Sequence, residues 1–566
     1  MVEGSPNPTN EDNSNVTRSE NLNYIPSSKA QRASIVLALA QGIRDENKNK
    51  PRTTKDPEKA FPLKGDFETA IEYTGYGKFH YYLLAICGLV SMSEEMDIIS
   101  MSFILPSAEC DLNLDTKSKG WLNSIIFIGM MVGAYTWGSL ADSWGRKKVL
   151  ILISVMNGLC IVASSFAQSY TPFMIFRFLN GVALGGSGPV IWSYFAEFQP
   201  KSRRGAMLSF MAAFWSLGNI FVAGLAWLVI PSSIGFVTSY FVYNSWRVFL
   251  MICSLPSFLV AALLLYLPES PKFMLSRGKT DRALDIFKRI YKINTGNPVE
   301  DYPVQGLIID EKLRAELEES SRPLKGDFKK MIWDVTYTTK QLFTNPVLKL
   351  TLISIIINFT FHIGYYGLMM WLPELFNRFD EYTTHFPGEE TSVCQVTDFV
   401  VSLEKHKPQS QACSSVIPSA VYMESLISVT AALPANLIAI LGMDTFGRKF
   451  FMVFSTVSAG LCSAGMMFVV NKTQNLIVSA IFSGVISCGN AALDCLITEV
   501  FPTHLRATGI AISMVMGRLG GIIGNVVIAQ LLDTYCPAPT VIVAFLLIFG
   551  GLMSLFLPNT TKTALN

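Results

Sequence analysis

Twelve apolar runs, each long enough to cross a membrane, are the feature that most restricts how this chain can fold. A transmembrane helix needs about 20 predominantly apolar residues. The first run carries three acidic residues and the tenth carries one, so these two are the weakest by hydropathy. Only 16% of the residues are charged, against about 25% in soluble domains. We therefore predict an all-α integral membrane protein with transmembrane helices at about 80–105, 119–140, 149–167, 172–194, 206–231, 247–267, 348–372, 419–441, 450–470, 476–497, 509–532 and 539–557.

The positions of Lys and Arg between the runs predict the orientation, because cytosolic loops of membrane proteins carry an excess of these residues. Cations follow spans two, four and eight, whereas the segment after span seven is mainly acidic. Together with an even number of spans, this places both termini in the cytosol. The predicted order begins with a disordered cytosolic tail (1–65), an interfacial helix (66–79) and an N-terminal six-helix half (80–268). A cytosolic central loop (269–347), a C-terminal six-helix half (348–557) with an extracellular or luminal loop (373–418), and a short cytosolic tail (558–566) follow.

Composition argues against several classes of protein. The net charge of +2 gives no general basic surface for a nucleic acid. Six of the ten cysteines lie in apolar runs, and only the four in connecting segments are plausible disulfide partners, with the pairing left open: Cys110, Cys394, Cys413 and Cys536. The sequence has no metal-binding motif, catalytic triad or Walker loop, so we expect no cofactor, no bound metal and no enzymatic activity.

A turn between spans two and three recurs in reduced form between spans eight and nine. Gly138–Lys148 reads GSLADSWGRKK, and Gly442–Lys449 reads GMDTFGRK. Glycine permits a tight reversal between antiparallel helices, while the charged residues can bind neighbouring helix ends, carboxylates or lipid phosphates. Two copies predict two pseudo-symmetric halves with the same orientation. One interpretation is a cytosolic charge latch between the halves. The other is a positively charged loop that only sets the topology.

These motifs resemble those of the major facilitator superfamily. The resemblance extends to Arg177–Gly186 in span four, Pro268–Phe273 after span six and Glu499–Gly509 after span ten. Phe103–Glu109 and Ser193–Phe198 are in addition similar to the synaptic vesicle glycoprotein two family, although residues 373–418 are too short for that family's luminal domain. The resemblance implies the major facilitator fold and a conformational latch formed by Gly138, Asp142, Gly145, Arg146, Glu197, Arg204, Glu269, Asp444, Gly447, Arg448, Glu499 and Arg506.

Charged residues inside the spans are costly in lipid, so each is expected to face a cavity or a partner. Glu94 and Asp97 share one face of span one, while Glu95 points about 100° away. In the sugar/proton symporters that the chain resembles, a span-one acid pairs with the span-four arginine and carries the coupled proton. That likeness implies a pair between Arg177 and either Glu94 or Asp97. The alternative is a permanent ion pair that only fixes the N-terminal half.

A second group of residues is predicted to line the substrate cavity. The charged members come from spans ten and eleven, and the aromatic members are candidates for stacking against a substrate, although aromatics are equally common in ordinary membrane cores. The group consists of Trp215, Tyr365, Tyr366, Asn490, Asp494 and Arg518. Asn490 stands where the synaptic vesicle family has a tryptophan, which weakens any inference about that family's pocket. Trp371 is a further stacking candidate, His362 is expected to be packed or hydrogen-bonded, and Glu424 is ambiguous.

Two functions of different classes fit these observations. The first is a secondary transporter that moves a small polar organic solute, a sugar or an organic ion, by alternating access, with the proton as a coupling ion. The second is a non-transporting vesicle-membrane protein whose N-terminal tail recruits cytosolic trafficking partners. Both predict a monomer embedded in the lipid bilayer of the plasma membrane or of a secretory or synaptic vesicle, without a nucleic-acid partner.

Overall fold

The computed structural model describes residues 63–238, 240–308, 337, 339–406, 417–501 and 505–558. Nearly all of the predicted tails 1–65 and 558–566 lies outside these residues, as does much of the central loop 269–347 beyond residue 308. Cys413 also lies outside them.

Long helices connected by tight turns make up the N-terminal half. A short helix, α1 (Phe67–Tyr73), begins at its N-cap Asp66 and precedes the half. The six long helices are α2 (Lys78–Leu112), α3 (Thr116–Trp144), α4 (Arg146–Phe166), α5 (Tyr170–Ala196), α6 (Arg204–Val229) and α7 (Ser245–Leu264).

The C-terminal half contains more interruptions. Predicted span seven is a rod in three pieces, α10 (Leu348–His362), a π-helical turn (Ile363–Leu368) and α11 (Met369–His385). It runs 13 residues past the predicted end at 372, because the 38-residue helical segment ends at His385. The remaining helices are α12 (Val393–His406), α13 (Ser419–Thr430), α14 (Ala432–Phe446), α15 (Arg448–Gly465), α16 (Lys472–Val500), α17 (Arg506–Leu532) and α18 (Pro537–Met553).

Eleven helical segments in the described part of the chain are long and apolar enough to span a membrane. Helix α2 is not among them. With 35 residues it has the length of a span, but Glu94, Glu95 and Asp97 lie near its middle. The protein is thus an all-α membrane protein, and the count of twelve spans stays a prediction.

The helix contacts repeat from one half to the other. In the N-terminal half α3 packs against α5, α2 against α6, and α4 against both α5 and α7. The corresponding pairs of the C-terminal half are α14 with α16, α10 with α17, and α15 with α16 and α18. The halves meet at two equivalent seams, α3 against α17 and α6 against α13. This repetition is what two pseudo-symmetric halves require.

A small module packs beneath the N-terminal half. Strand β1 (Leu63–Gly65) pairs in parallel with β4 (Val304–Leu307), while α8 (Pro271–Ser276) and α9 (Thr280–Thr295) complete the module. Helix α9 is amphipathic: it buries Ala283 and Phe287 against α1 and β4, and Ile290 against residues of the N-terminal half. The predicted interfacial segment 66–79 instead divides into α1 and the start of α2. A hairpin of two short strands, β2 (Phe236–Val237) and β3 (Val242–Tyr243), joins α6 to α7.

A disulfide bond joins Cys394 on α12 to Cys536 at the start of α18, across 142 residues of sequence. Cys110 is also disulfide-bonded. All three belong to the four cysteines that the sequence left as plausible partners, and the six cysteines of the apolar runs are free thiols.

Candidate functional site

The predicted coupling residues of the N-terminal half form a buried polar cluster, but the contacts differ from a simple ion pair. Nη2 of Arg177 donates to the backbone carbonyl of Asp97 at 2.9 Å and to Ser100 Oγ at 3.3 Å. The carboxylate of Asp97 accepts instead from the amide of Asn157. Asn180 donates in turn to Asn157 Oδ1 at 2.5 Å. The structure thus brings Arg177 to the backbone of Asp97, while two asparagines of α4 and α5 hold the Asp97 carboxylate, and the coupling role stays a prediction.

Glu94 lies apart from this cluster, although it is on the same helix. Its Oε2 accepts from Ser187 Oγ at 3.1 Å, and its side chain lines a small cavity together with Ser154, Asn157 and Ser257. The nearest cation in electrostatic terms is Arg518 of the other half, and not Arg177. Of the two predicted partners of Arg177, only Asp97 is therefore in contact with it.

Glu95, which the helical spacing set aside, faces the opposite half. It is fully buried, and its Oε1 accepts from Nδ2 of Asn219 on α6 at 2.8 Å. Trp215, one turn earlier on α6, and Tyr365 lie beside the same carboxylate. The sequence gave no local signal for this contact, because Asn219 is 124 residues from Glu95.

The π-helical turn of span seven places two predicted aromatics at the seam between the halves. The rings of Tyr365 and Tyr366 are nearly perpendicular with centroids 4.9 Å apart, and Tyr366 packs against Phe127 of α3 at 4.7 Å. His362 stacks on Tyr366, and its Nδ1 contacts the carbonyl of Asn358 at 2.8 Å. Single π-helical turns inside α-helices often mark functional sites. The packed and hydrogen-bonded state expected for His362 is therefore the observed one.

The remaining predicted cavity residues come from α16 and α17. Asp494 is exposed, while Asn490 and Arg518 are half-buried. Arg518 lies within electrostatic range of Asp494, and also of Glu94 and Glu95 across the seam. Trp371, in contrast, is buried, with its Nε1 donating to Asn525 at 3.1 Å, so it is a packing residue in this structure.

The repeated turns lie at one end of the helix bundle, which we call the motif end. Gly145 and Gly447 both have positive φ, 106° and 91°, and each separates two helices. Arg146 contacts Glu197 at 3.0 Å, and Arg448 contacts Glu499 at the same distance. The two halves thus use the same ion pair at the same place. The likeness of the two copies goes beyond sequence to geometry.

The other predicted latch residues are also bound within one half. Asp142 lies 3.6 Å from Arg146, and Glu269 accepts from the backbone N–H of Lys147 at 2.9 Å. Arg204 pairs with Glu68 of α1 at 2.9 Å. The side chains of Asp444 and Arg506 lie outside the described part, and Gly138 has open space around it.

At the motif end, no ion pair between two described residues joins the halves. Burial raises the pKa of the Glu197 carboxyl, while Arg146 acts in the opposite direction. A latch between the halves therefore stays a prediction for a state in which this end is closed.

An ion pair between the halves occurs at the opposite end of the bundle, which we call the far end. Lys119 of α3 contacts Glu109 of its own half at 2.8 Å and Glu374 of α11 at 2.9 Å. Arg378 of α11 contacts Glu374 at 3.2 Å and Asp533 at 3.0 Å. We call these five residues the far-end network. Three of them are almost fully buried, with exposures of 2% for Lys119, 4% for Glu374 and 1% for Arg378.

Close packing accompanies these ion pairs. Tyr422 of α13 and Ser107 of α2 share a hydrogen bond of 2.6 Å between the halves, and Arg378 Nη2 donates to Thr116 Oγ1 at 3.4 Å. A Cβ atom added to Gly120 of α3 would lie 2.3 Å from the Cβ of Ala529 on α17. Charge and shape therefore close the far end, whereas the ion pairs between described residues at the motif end stay within each half.

Comparison with known proteins agrees with this geometry. The sequence model described as "Sugar (and other) transporter" matches residues 80–400, and that of the major facilitator superfamily matches residues 416–566. The chain belongs to the sugar (and other) transporter family. The second match is to the superfamily that the repeated turns indicated.

Curated relatives and solved structures extend the comparison. Synaptic vesicle glycoprotein 2C of Mus musculus is 28% identical over 96% of this chain and 87% of its own length. Synaptic vesicle glycoprotein 2B of Rattus norvegicus is 29% identical over 95% and 91%. A partially occluded inward-open structure of the xylose transporter XylE from E. coli has a TM-score of 0.61 at 17% identity, covering 86% of this chain and 99% of that one. The protein therefore has the major facilitator fold and is similar to the synaptic vesicle glycoproteins.

Proposed function

We propose that this protein is a secondary active transporter that carries a small polar organic solute, a sugar or an organic ion, by alternating access. The observation that supports this most directly is the contrast between the two ends of the bundle. The far-end network joins the halves through buried charges, whereas the motif-end pairs hold each half together internally. Between the two ends lie polar side chains from both halves, Glu94 and Glu95 on one side and Asp494 and Arg518 on the other. Such an arrangement fits two rigid halves that rock about a central site.

Reconstitution tests this proposal. The full-length protein in proteoliposomes should take up at least one member of a panel of sugars and organic ions in a saturable way. The matched control is the double variant Lys119→Cys, Glu374→Cys, in which a photocleavable bifunctional thiol reagent bridges the two cysteines and holds the far end closed. Cross-linking should abolish the flux and photocleavage should restore it. Flux that persists in the cross-linked protein would contradict alternating access.

Proton coupling is a separate part of the proposal. Asp97 lies beside Arg177 in a buried polar cluster, and Glu94 lines the adjacent cavity, so either carboxyl is positioned to exchange a proton with the cavity. A pH gradient should increase uptake by the wild type but not by the Glu94→Gln, Asp97→Asn double variant. Glu300→Gln, on an exposed turn of the module, serves as the control that removes a carboxylate elsewhere. Identical responses of the wild type and the double variant would exclude coupling through these acids.

The second candidate function is a non-transporting protein of a vesicle membrane, and the similarity to synaptic vesicle glycoproteins favours it. In that case the N-terminal tail recruits cytosolic partners, and the polar centre is a remnant of transport. Deleting residues 1–60 separates the two candidates. Retained flux with lost vesicle targeting makes the tail an address signal on a transporter, whereas targeting by the tail together with no flux for any solute favours the alternative.

A further inference from the structure

The space between the halves contains more negative than positive side chains. Glu94 and Glu95 approach it from α2 and Asp494 from α16, and Arg518 is within electrostatic range of all three. No ion pair between described residues joins Arg518 to any of these carboxylates. Arg177 belongs to the cluster around Asp97 and contributes no contact here. Three carboxylates thus share one guanidinium, which none of them contacts directly.

Two buried acceptor atoms at this place lack a hydrogen bond, and so does the buried indole N–H of Trp215 beside Glu95. Glu95 and Asn219 are almost fully buried, with exposures of 0% and 3%. Their single contact uses Oε1 of Glu95 and Nδ2 of Asn219, which leaves Glu95 Oε2 and Asn219 Oδ1 without a hydrogen bond among the described residues. Unpartnered buried acceptors are unfavourable, and a carboxylate is the most unfavourable of them. A ligand that brings N–H donors and positive charge would satisfy both atoms.

Aromatic rings surround the same carboxylate. Trp215 and Tyr365 lie beside Glu95, and Tyr366 lies within its electrostatic range. The rings of Tyr365 and Tyr366 are nearly perpendicular to each other, and they also stack on Phe361 and His362, respectively. Ring faces attract ammonium groups, and the attraction is largest where water is excluded. Carboxylates and aromatic faces together favour an organic cation over a neutral or negatively charged solute.

We infer that the site between Glu95, Asp494, Trp215 and Tyr365 binds a small organic cation, an amine or quaternary ammonium compound, in preference to a neutral sugar or an anion. This inference rests on the proposed transport function and narrows its substrate class. The cationic group lies next to Glu95, and the rest of the ligand extends towards Asp494 on the opposite half. Binding of one ligand by both halves would then draw them together.

Matched pairs of probes test the preference. Each pair consists of a cation and a neutral molecule of similar shape: choline with 3,3-dimethyl-1-butanol, and tyramine with 4-propylphenol. Agmatine serves as a divalent cation, and D-xylose as a neutral polar solute. Affinities are measured by thermal shift and calorimetry on the full-length protein in nanodiscs. At least one cation should bind tenfold or more tightly than its neutral counterpart.

Variants locate the preference. Glu95→Gln and Asp494→Asn should each weaken cation binding tenfold or more and leave the binding of the neutral counterpart unchanged. Asp494→Glu keeps the charge and should stay within about threefold of the wild type, as should the exposed control Glu300→Gln. The thermal stability of each variant without ligand shows whether it is folded. If Glu95→Gln does not fold, the comparison of Asp494→Asn with the charge-conserving Asp494→Glu still decides the test.

The outcomes separate this inference from the proposed function. Equal affinity within each pair, binding of D-xylose alone, or no binding of any cation overturns the preference for cations. Saturable uptake of a neutral solute into proteoliposomes would then leave the transport function in place. If cation binding depends on Glu95 but no probe is transported, the inferred binding site is supported and the proposed transport function is contradicted.

Discussion

Removing the shared carboxylate of the far-end network should open the far end. Glu374 is the residue that connects the halves, since it contacts Lys119 of the N-terminal half at 2.9 Å and Arg378 of its own half at 3.2 Å. In Glu374→Gln, Lys119 keeps Glu109 and Arg378 keeps Asp533. The ion pair between Lys119 and Glu374 exists only while the far end is closed, so its loss destabilises the closed arrangement relative to the open one.

The size of the effect follows from burial. Breaking one partner of a buried ion pair costs about 3–5 kcal/mol, and the remaining partners of both cations reduce this to about 2–3 kcal/mol. Since 1.4 kcal/mol is a factor of ten, the ratio of closed to open far ends should fall by about 30- to 150-fold. A population that is mainly closed in the wild type would become mixed or mainly open.

Spin labels on the two halves at the far end measure this change. Lys117 on α3 and Tyr535 after α17 are exposed and lie on opposite halves. Double electron–electron resonance on labels at these positions should show a longer distance component in Glu374→Gln. Glu424→Gln is the matched control, because Glu424 pairs with Lys472 at 3.0 Å at the same end but within one half. Unchanged distances in Glu374→Gln, or equal changes in both variants, would refute the reasoning.

Three further variants have expected outcomes. Gly120→Leu should shift the same spin-label distance to longer values, because its side chain would overlap Ala529 when the far end closes. It should not lower the affinity for a ligand that enters from the motif end. Gly145→Ala should lower the thermal unfolding free energy by about 1–3 kcal/mol, since φ at this turn is 106°. Cys394→Ser should abolish the bond to Cys536 in non-reducing peptide mapping and lower thermal stability by about 2–5 kcal/mol, with inter-half distances unchanged because both cysteines belong to the C-terminal half.

The motif residues show what the sequence could predict. A repeated glycine between two apolar runs indicated a tight turn, and Gly145 and Gly447 have nearly the same backbone geometry. One interpretation of the neighbouring Arg146 and Arg448 is that they reach carboxylates of the other half. In this structure they contact Glu197 and Glu499 of their own halves, and the latch stays a prediction. A local pattern defines a turn well, but it does not determine which of several distant carboxylates an arginine meets in a given conformation.

The far-end network shows why hydropathy missed a functional cluster. The prediction ended span seven at residue 372, where charged residues begin, and assigned Glu374 and Arg378 to the loop 373–418. The helix instead continues to His385, and Lys119 of the N-terminal half provides the opposite charge. Hydropathy counts each charge as a cost, whereas opposite charges that pair with one another can remain inside a packed helix bundle. Their pairing depends on tertiary contacts across 255 residues of sequence.

Glu95 was missed for a related reason. The helical spacing of Glu94 and Asp97 was correct, and Glu95 does point elsewhere on α2. The spacing argument leaves Glu95 out of the predicted pair because of its direction, but α6 lies on that side and brings Asn219 and Trp215 to it. The position of α6 relative to α2 comes from the fold of the half. An acidic residue in the middle of a helix bundle therefore needs a partner whichever face of the helix it occupies. This holds even when a recognised pair lies on another face.

The locations of the charges divide the effects of mutations into three kinds. In the proposed transport cycle, pairs between described residues at the motif end lie within one half and persist, so their loss should reduce stability more than it changes conformation. The far-end network forms and breaks in that cycle, and its loss should change the equilibrium between states. The carboxylates between the halves have no direct ionic partner among the described residues, and their loss should change ligand affinity. A Glu95→Gln variant that altered spin-label distances without ligand as much as Glu374→Gln would contradict this division, because it would make the central acid part of the closing contacts.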